Sequence, residues 1–104
     1  MMSHAKSVSV RDNPRGLRYE LVVDGAVAGE IRYRLEPGVI ILDHTEVAPG
    51  FEGRGLGGRL VAGALEDIRA RGLRPVPICS FVAWYLRRHP EDSDVGVQDS
   101  ASLE

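Results

Sequence analysis

A single cysteine and the lack of any long apolar run exclude several classes of protein. Cys79 is the one cysteine among the 104 residues, which excludes an internal disulfide and a metal site built on paired thiolates. The longest aliphatic run covers residues 39–42, far short of the roughly 20 residues that cross a bilayer. Residues 1–7 lack the apolar segment of a signal peptide. We therefore expect neither membrane insertion nor secretion, and a reducing cytoplasm is the compartment that fits.

Aromatic residues and net charge are also low, and both argue against a nucleic-acid partner. Aromatic residues make up 6% of the chain, the formal net charge is −2, and the sequence contains no known readout motif. The charges are nevertheless unevenly distributed. Residues 51–90 carry seven basic and three acidic side chains, whereas residues 91–104 carry no basic and five acidic ones. The cationic stretch favours a site for a small polyanion, with a solvated surface as the alternative.

The length and composition predict one folded domain with short extensions. A chain of 104 residues has the size of a single domain, and its hydrophobic fraction of 43% is ordinary for a globular protein. We expect the domain to cover residues 7–90. In this interpretation residues 1–6 form an N-terminal extension, and the acidic residues 91–104 form a disordered tail.

Hydrophobic spacing predicts five strands and two helices in the order ββββαβα. Turn signals such as Asp24-Gly25 separate the strand segments, which cover residues 8–10, 17–23, 27–35, 39–47 and 74–79. Helical spacing over residues 56–68 precedes Gly72, which its residue type predicts to be the C-cap. A second helix is predicted over residues 81–89, with Ser80 as its N-cap.

This order predicts an α+β (α/β) fold with a mixed, mostly antiparallel sheet. The fourth strand, first helix and fifth strand form a β-α-β unit, so the fourth and fifth strands should be parallel. Pro75 and Pro77 leave two missing N–H groups on one edge of the fifth strand. That strand therefore lies at the sheet border, or it separates from the fourth strand and leaves a gap.

A glycine-rich segment over residues 53–58 precedes the first predicted helix. It matches Gly-x-Gly-x-x-Gly, but the dinucleotide fingerprint needs a turn directly after a strand and an acidic residue about 20 positions later. Neither condition holds, and no Gly-Lys-Ser/Thr follows for a nucleotide triphosphate loop. What remains is a helix N-terminus whose free N–H groups favour an anion. The alternative is that the glycines serve only a tight turn and close helix packing.

Residues 52–57 resemble the pyrophosphate-binding motif of the GNAT acetyltransferase superfamily, with Glu52 at the first position. Four segments more narrowly resemble the small single-domain GNAT-like proteins that carry a cysteine near the acetyl group: residues 44–47, 51–55, 77–80 and 88–90. The resemblance implies a minimal GNAT-like fold in which the parallel strand pair splays around the cofactor. It also implies acetyl-CoA as cofactor and an unidentified amine acceptor, a small molecule or a protein.

The resemblance assigns the cofactor mainly to the glycine segment. The backbone N–H groups of residues 53–58 would bind the pyrophosphate, and Arg54 or Arg59 would add positive charge. The implied cofactor-binding residues are Val47, Glu52, Gly53, Arg54, Gly55, Leu56, Gly57, Gly58, Arg59 and Cys79.

Two polar residues on the fourth strand are candidates for handling the proton of the acceptor. Strict alternation places His44 and Glu46 on the same face as Ile40 and Leu42, so the pair should continue a buried stripe towards the site. The alternative for His44 is a core histidine held by a structural hydrogen bond.

Two residues around the second helix are further catalytic candidates. Cys79 directly precedes the helix, where the dipole and free N–H groups lower a thiol pKa, although free cysteine is also commonly a buried apolar residue. Tyr85 would protonate the departing CoA thiolate, as a helix tyrosine does in many GNAT enzymes. Its spacing from Phe81 and Trp84 is most simply explained by core packing.

The sequence therefore predicts an acetyl-CoA-dependent N-acetyltransferase, with an acetyl-cysteine intermediate at Cys79 as one route and direct attack by the amine as the other. The alternative function is a CoA-binding or regulatory module that does not turn over.

Overall fold

The structure is a computed structural model that describes residues 7–91. Within that range the elements are β1 (Val8–Asn13), β2 (Arg18–Val23), β3 (Ala26–Glu36), β4 (Val39–Val47), α1 (Leu56–Ala70), β5 (Arg74–Pro77) and α2 (Ser80–Arg88). The predicted α+β order is confirmed. The predicted extension at residues 1–6 lies outside the described residues, as does the predicted tail apart from Glu91.

The strands form one sheet in the order β1-β2-β3-β4-β5. The first three pairings are antiparallel, whereas β4 pairs with β5 in parallel from Val39↔Arg74 to Leu42↔Pro77. The mixed sheet expected from the β-α-β unit is therefore confirmed. The hairpin between β2 and β3 turns at Asp24 and Gly25, both with positive φ (49° and 85°), as a two-residue turn of this kind requires.

Helix α1 covers one face of the sheet, here called the core face, and α2 packs against β4, β5 and α1. The apolar stripe of α1 is buried as its spacing predicts, and it consists of Leu56, Leu60, Val61, Ala64, Leu65 and Ile68. Sheet residues with no exposed surface complete the core, among them Leu21, Ile31, Ile40 and Leu42. Among residues 7–91, no helix is long and apolar enough to cross a membrane.

The C-terminal end of α1 is tied to the sheet by polar side chains. The Tyr19 hydroxyl donates to Asp67 Oδ2 at 2.5 Å, and Arg71 Nη1 donates to Tyr19 at 3.1 Å and to Asp12 Oδ2 at 3.2 Å. The Tyr33 hydroxyl donates to Asp12 Oδ1 at 2.6 Å. Burial and the neighbouring Asp12 carboxylate raise the pKa of Tyr33 to about 12, so the Tyr33 hydroxyl keeps its proton at neutral pH.

A β-bulge in β4 changes which residues face the core. Tyr33 pairs with Leu42, but Arg32 pairs with His44, so Asp43 is the extra residue. Beyond the bulge Thr45 pairs with the fully buried Ile31 and therefore lies on the core face.

The placement of His44 and Glu46 that strict alternation predicted is therefore wrong. Their side chains lie on the opposite face, here called the outer face, and are 60% and 68% exposed. One additional residue in the strand is the physical reason, because the side-chain period of a strand is two residues.

The outer face carries a buried carboxylate held by three donors. Glu20 is 2% exposed and accepts hydrogen bonds from Asn13 Nδ2 at 3.0 Å, Arg18 Nε at 2.8 Å and Arg11 Nε at 2.9 Å. These bonds favour the ionised form more strongly than burial disfavours it, and they lower the pKa of Glu20 to about 2. Glu20 thus joins β1 to β2 through charge-assisted hydrogen bonds.

Replacing Glu20 with glutamine should destabilise the protein and flatten its response to acid. Because the folded pKa of about 2 is below the unfolded value, the stabilisation is present above the unfolded pKa and is lost as pH falls towards the folded one. We expect Glu20→Gln to lower the free energy of unfolding at pH 7 by about 2 kcal/mol. Urea unfolding at a series of pH values measures this difference, which should shrink in acid.

Glu30→Gln is the matched control, because Glu30 is more exposed at 21% and pairs with Arg32 at 3.2 Å on the same face. It should cost less stability than Glu20→Gln. If the Glu20→Gln protein lost stability in acid as steeply as the unsubstituted protein, the role given to Glu20 would be wrong.

Candidate functional site

A cavity of about 770 Å³ opens between β4, the loop that follows it, the N-terminal end of α1 and one side of α2. Many of the residues predicted to bind the cofactor or to act in catalysis line this cavity. They are Val47, Glu52, Gly53, Gly55, Leu56, Gly57, Gly58, Arg59 and Tyr85. The glycine segment and the second helix are thus brought together around one space. Their roles stay predictions.

The glycine turn positions the first turn of α1 without a side-chain cap. Gly53 and Gly55 adopt left-handed φ angles of 79° and 73°, which glycine adopts without strain. Gly55 is the N-cap residue, and among the described residues no side chain caps the helix. The first turn also contains no acidic residue. Its backbone N–H groups are therefore available to an anion in the cavity.

Gly57 lets α2 approach α1 closely, whereas the neighbouring Gly58 is not required for that approach. A Cβ atom at Gly57 would lie 2.9 Å from Phe81 Cζ, and one at Gly58 would lie 3.7 Å from Tyr85 Cε2. The alternative explanation of the glycine segment, a tight turn and close helix packing, thus describes part of the structure. Packing occurs at Gly57, and the turn at Gly53 and Gly55 leaves the helix N-terminus open.

The ladder between β4 and β5 ends at the pair Leu42↔Pro77, next to the bulge at Asp43, although β4 continues to Val47. Beyond that pair the Cys79 amide donates to the Leu42 carbonyl oxygen at 2.8 Å. Of the two alternatives for the proline-containing strand, the border position is confirmed in residues 7–91, because β5 is the last strand of the sheet order. The gap between the two strands stays a prediction.

Cys79 lies just beyond the end of the ladder and contacts Thr45 without lining the cavity itself. Its side chain is 8% exposed, and its Sγ is hydrogen-bonded to Thr45 Oγ1 at 3.1 Å. Thr45 itself lines the cavity. Cys79 also occupies the N-cap position of α2, so the prediction of Ser80 as N-cap is wrong; Ser80 is the first helical residue.

The surroundings of Cys79 favour its thiolate. Burial raises the pKa of the thiol, but the Thr45 hydroxyl and the backbone amides of Val82 and Phe81 outweigh that effect, so the pKa lies below its ordinary value. The amides act on the sulfur without closing a regular cap hydrogen bond. The effect of the helix N-terminus expected from the sequence is thus present, and Thr45 adds to it.

Besides Cys79, three predicted site residues do not line the cavity. His44 Nε2 and Glu46 Oε1 are 3.7 Å apart on the outer face, on the other side of β4 from the cavity. The Arg54 guanidinium lies over the Phe51 ring at 5.5 Å, so Arg54 is next to a cavity-lining side chain without lining the cavity itself.

Several residues line the cavity that are not among the predicted site residues, namely Thr45, Phe51, Ala62, Phe81, Trp84 and His89. Thr45 was missed because the bulge reverses its face. Trp84 was assigned to core packing, but it is 43% exposed. Tyr85, 6% exposed, fits that assignment better, and its ring stacks on His89 at 4.1 Å.

Comparison with known proteins assigns this arrangement to a family. A sequence model described as GCN5-related N-acetyl-transferase matches residues 18–95, which is more than half of the chain. The chain belongs to the GCN5-related N-acetyltransferase family. The resemblance read from residues 44–47, 51–55, 77–80 and 88–90 is thereby confirmed.

Two individual proteins support membership of the GCN5-related family. The NMR solution structure of a GCN5-like protein from Staphylococcus aureus, described as a candidate N-acetyltransferase, superposes with a TM-score of 0.64 at 25% identity. That similarity covers 84% of this chain and 85% of the other. A mycothiol acetyltransferase from Thermobispora bispora is 44% identical over 61 residues, 59% of this chain. The match spans 20% of that relative's length.

Removing the Thr45 hydroxyl should make Cys79 harder to ionise. Thr45→Val keeps the side-chain shape and deletes the hydrogen bond to the sulfur, so the pKa of Cys79 should rise. The ultraviolet absorbance of the thiolate, recorded against pH with Cys79→Ser as the blank, measures this change. Thr45→Ser retains the hydroxyl and should titrate like the unsubstituted protein. Coinciding titrations of all three cysteine-containing proteins would show that Thr45 has no influence on the thiol.

Proposed function

We propose that this protein is an acetyl-CoA-dependent N-acetyltransferase that acts on an amine. One observation supports this most: a single cavity is lined both by the uncapped N-terminus of α1 and by Thr45, which contacts the Cys79 thiol. The first feature suits a pyrophosphate, and the second suits a thioester at the other end of the same ligand.

The glycine turn is the proposed binding site for the pyrophosphate. The open N–H groups after Gly55 supply hydrogen bonds, and the helix dipole favours negative charge there. Arg59 lines the cavity and supplies a positive charge. The pantetheine arm would pass Val47 and Thr45 towards the opening between β4 and β5, where unpaired backbone groups can bind its amides.

Cys79 is the proposed acetyl carrier. In this route the Cys79 thiolate attacks the acetyl carbon, a new C–S bond forms, and the bond to the CoA sulfur breaks. The CoA thiolate takes a proton from Tyr85, which lines the cavity. The amine then attacks the acetyl-cysteine, an N–C bond forms, the amine loses a proton, and the Cys79 thiolate is released.

His44 and Glu46 are the proposed acceptors of the proton that the amine loses. Since both lie on the outer face, this role requires the amine to approach through the opening between β4 and β5 from the side opposite the cavity. The two substrates would then meet at the strand opening from different faces of the sheet.

The burial of Cys79 favours an alternative in which Cys79 does not carry the acetyl group. A thiol that is 8% exposed and held by Thr45 is also what a structural cysteine looks like. In that case acetyl transfer would proceed by direct attack of the amine, or the protein would bind CoA without turnover.

A side chain at Gly55 should abolish the response to acetyl-CoA. At about 100 times its Kd, acetyl-CoA should stabilise the unsubstituted protein by about 2.7 kcal/mol, which a thermal melt detects. Gly55→Leu should lower basal stability by about 1–2 kcal/mol because of its left-handed φ, and should also remove the ligand-induced shift.

Gly72→Leu is the matched control. Gly72 has a φ of 71°, has open space where a Cβ would lie and follows the opposite end of α1. It should lose similar basal stability and keep the full acetyl-CoA shift. Equal shifts in the two variants would remove the glycine turn from the binding site.

The role of Cys79 separates the two routes of transfer. By the covalent route, brief incubation with acetyl-CoA should leave the protein about 42 Da heavier at Cys79, as measured by intact-mass and peptide mass spectrometry. Cys79→Ser and Cys79→Ala should keep the acetyl-CoA-induced shift in melting temperature, form no adduct at position 79 and lose turnover. An alanine variant that acetylates an amine at near the normal rate would exclude the covalent route.

A further inference from the structure

The outer part of the cavity wall on α2 is aromatic and exposed. Trp84 lines the cavity and is 43% exposed. Its ring packs beside Phe81 with centroids 5.6 Å apart, and the Arg88 guanidinium lies over it at 5.2 Å. An aromatic surface and a cation are thus available at the same place.

The position of Trp84 relative to the glycine turn indicates which part of a ligand would reach it. Phe81 packs directly on Gly57, so this stretch of α2 lies opposite the start of α1. Trp84 is one helical turn further along α2. Tyr85 and Cys79 are buried at 6% and 8%, whereas Trp84 is exposed. The α2 wall of the cavity therefore has a buried side at Tyr85 and an exposed outer side at Trp84.

A ligand that places a pyrophosphate at the glycine turn and a thioester near Thr45 leaves its remaining part at the outer end of the cavity. In coenzyme A that part is a purine on a ribose with a 3′-phosphate. A purine stacks on an exposed indole, and an arginine suits a phosphate as well as an aromatic ring.

We propose that Trp84 and Arg88 form a subsite for the adenosine 3′-phosphate of coenzyme A. This inference rests on the proposed function, because it assumes that the cavity binds this cofactor. Trp84 supplies the stacking surface, and Arg88 holds the indole in place and contacts the 3′-phosphate. The subsite contributes affinity and takes no part in acetyl transfer.

The test compares three ligands that differ only at this end: CoA, dephospho-CoA, which lacks the 3′-phosphate, and 4′-phosphopantetheine, which lacks the nucleotide. Trp84 is the one tryptophan of the chain, so its fluorescence reports on the subsite directly. CoA and dephospho-CoA should change this fluorescence on binding, whereas 4′-phosphopantetheine should not. Isothermal titration calorimetry gives the affinities for variants that lack the indole.

Trp84→Leu keeps apolar bulk but removes the aromatic face, and it should weaken CoA binding roughly tenfold. The affinity for 4′-phosphopantetheine should be unchanged. The affinity of Trp84→Phe for CoA should lie between those of Trp84→Leu and the unsubstituted protein. Arg88→Gln should weaken the binding of CoA more than the binding of dephospho-CoA. Arg87→Gln, which changes the neighbouring residue of the same helix, is the matched control and should leave both affinities unchanged.

Equal losses for CoA and 4′-phosphopantetheine in Trp84→Leu would mean that the indole supports the fold of the cavity and not a nucleotide subsite. Normal CoA binding by Trp84→Leu would also overturn the subsite while leaving the proposed function intact. If the unsubstituted protein bound none of the three ligands, the proposed function and the subsite would both be wrong. Melting temperatures measured without ligand show whether each variant is folded.

Discussion

The pairing between β4 and β5 stops at Leu42 and Pro77, and the arrangement of the candidate site depends on that limit. A continued parallel ladder would bring the two strands together and occupy the backbone groups beyond Leu42. Arg74 donates to the Gly38 carbonyl oxygen, so the missing N–H groups of Pro75 and Pro77 lie on the edge of β5 that faces away from β4. Where the ladder ends, the Ile78 amide donates to the Val76 carbonyl oxygen at 3.1 Å instead of to β4, and β4 bulges at Asp43. Cys79 then lies beside Thr45, with its amide still bonded to Leu42.

The two ends of α1 are built for different purposes. At the C-terminal end Arg71 and Asp67 bind Tyr19 on the sheet, so the helix is fixed by charge-assisted hydrogen bonds. At the N-terminal end glycine takes the cap position and no side chain among the described residues satisfies the amides there. Anchoring at one end allows the other to keep open hydrogen-bond donors in a defined place, as a preorganised binding site requires.

Local sequence signals predicted the elements well, because turns and helices depend on neighbouring residues. Asp24-Gly25 forms the expected hairpin turn, and the apolar stripe of α1 is buried. The bulge could not be predicted, because the four aliphatic residues at the start of β4 show no alternation of apolar and polar side chains that a bulge would interrupt. As a result, His44, Thr45 and Glu46 were assigned to the wrong faces. The exposure of Trp84 also depends on tertiary packing, because helical spacing alone does not distinguish a core residue from one that lines a cavity.

The bulge at Asp43 also sets how this chain can tolerate changes in length. Deleting one residue there would restore strict alternation, turn His44 and Glu46 towards the core, and place two ionisable side chains where Thr45 and Val47 now face. An insertion or deletion in the turn at Asp24-Gly25 would disturb the hydrogen bonds between Asp24 and Ser7 but would leave the two faces of β4 unchanged. Evolutionary gain and loss of residues should therefore concentrate in the hairpin turns, and the spacing from the bulge to the glycine turn should be the part of the chain whose length is least free to vary.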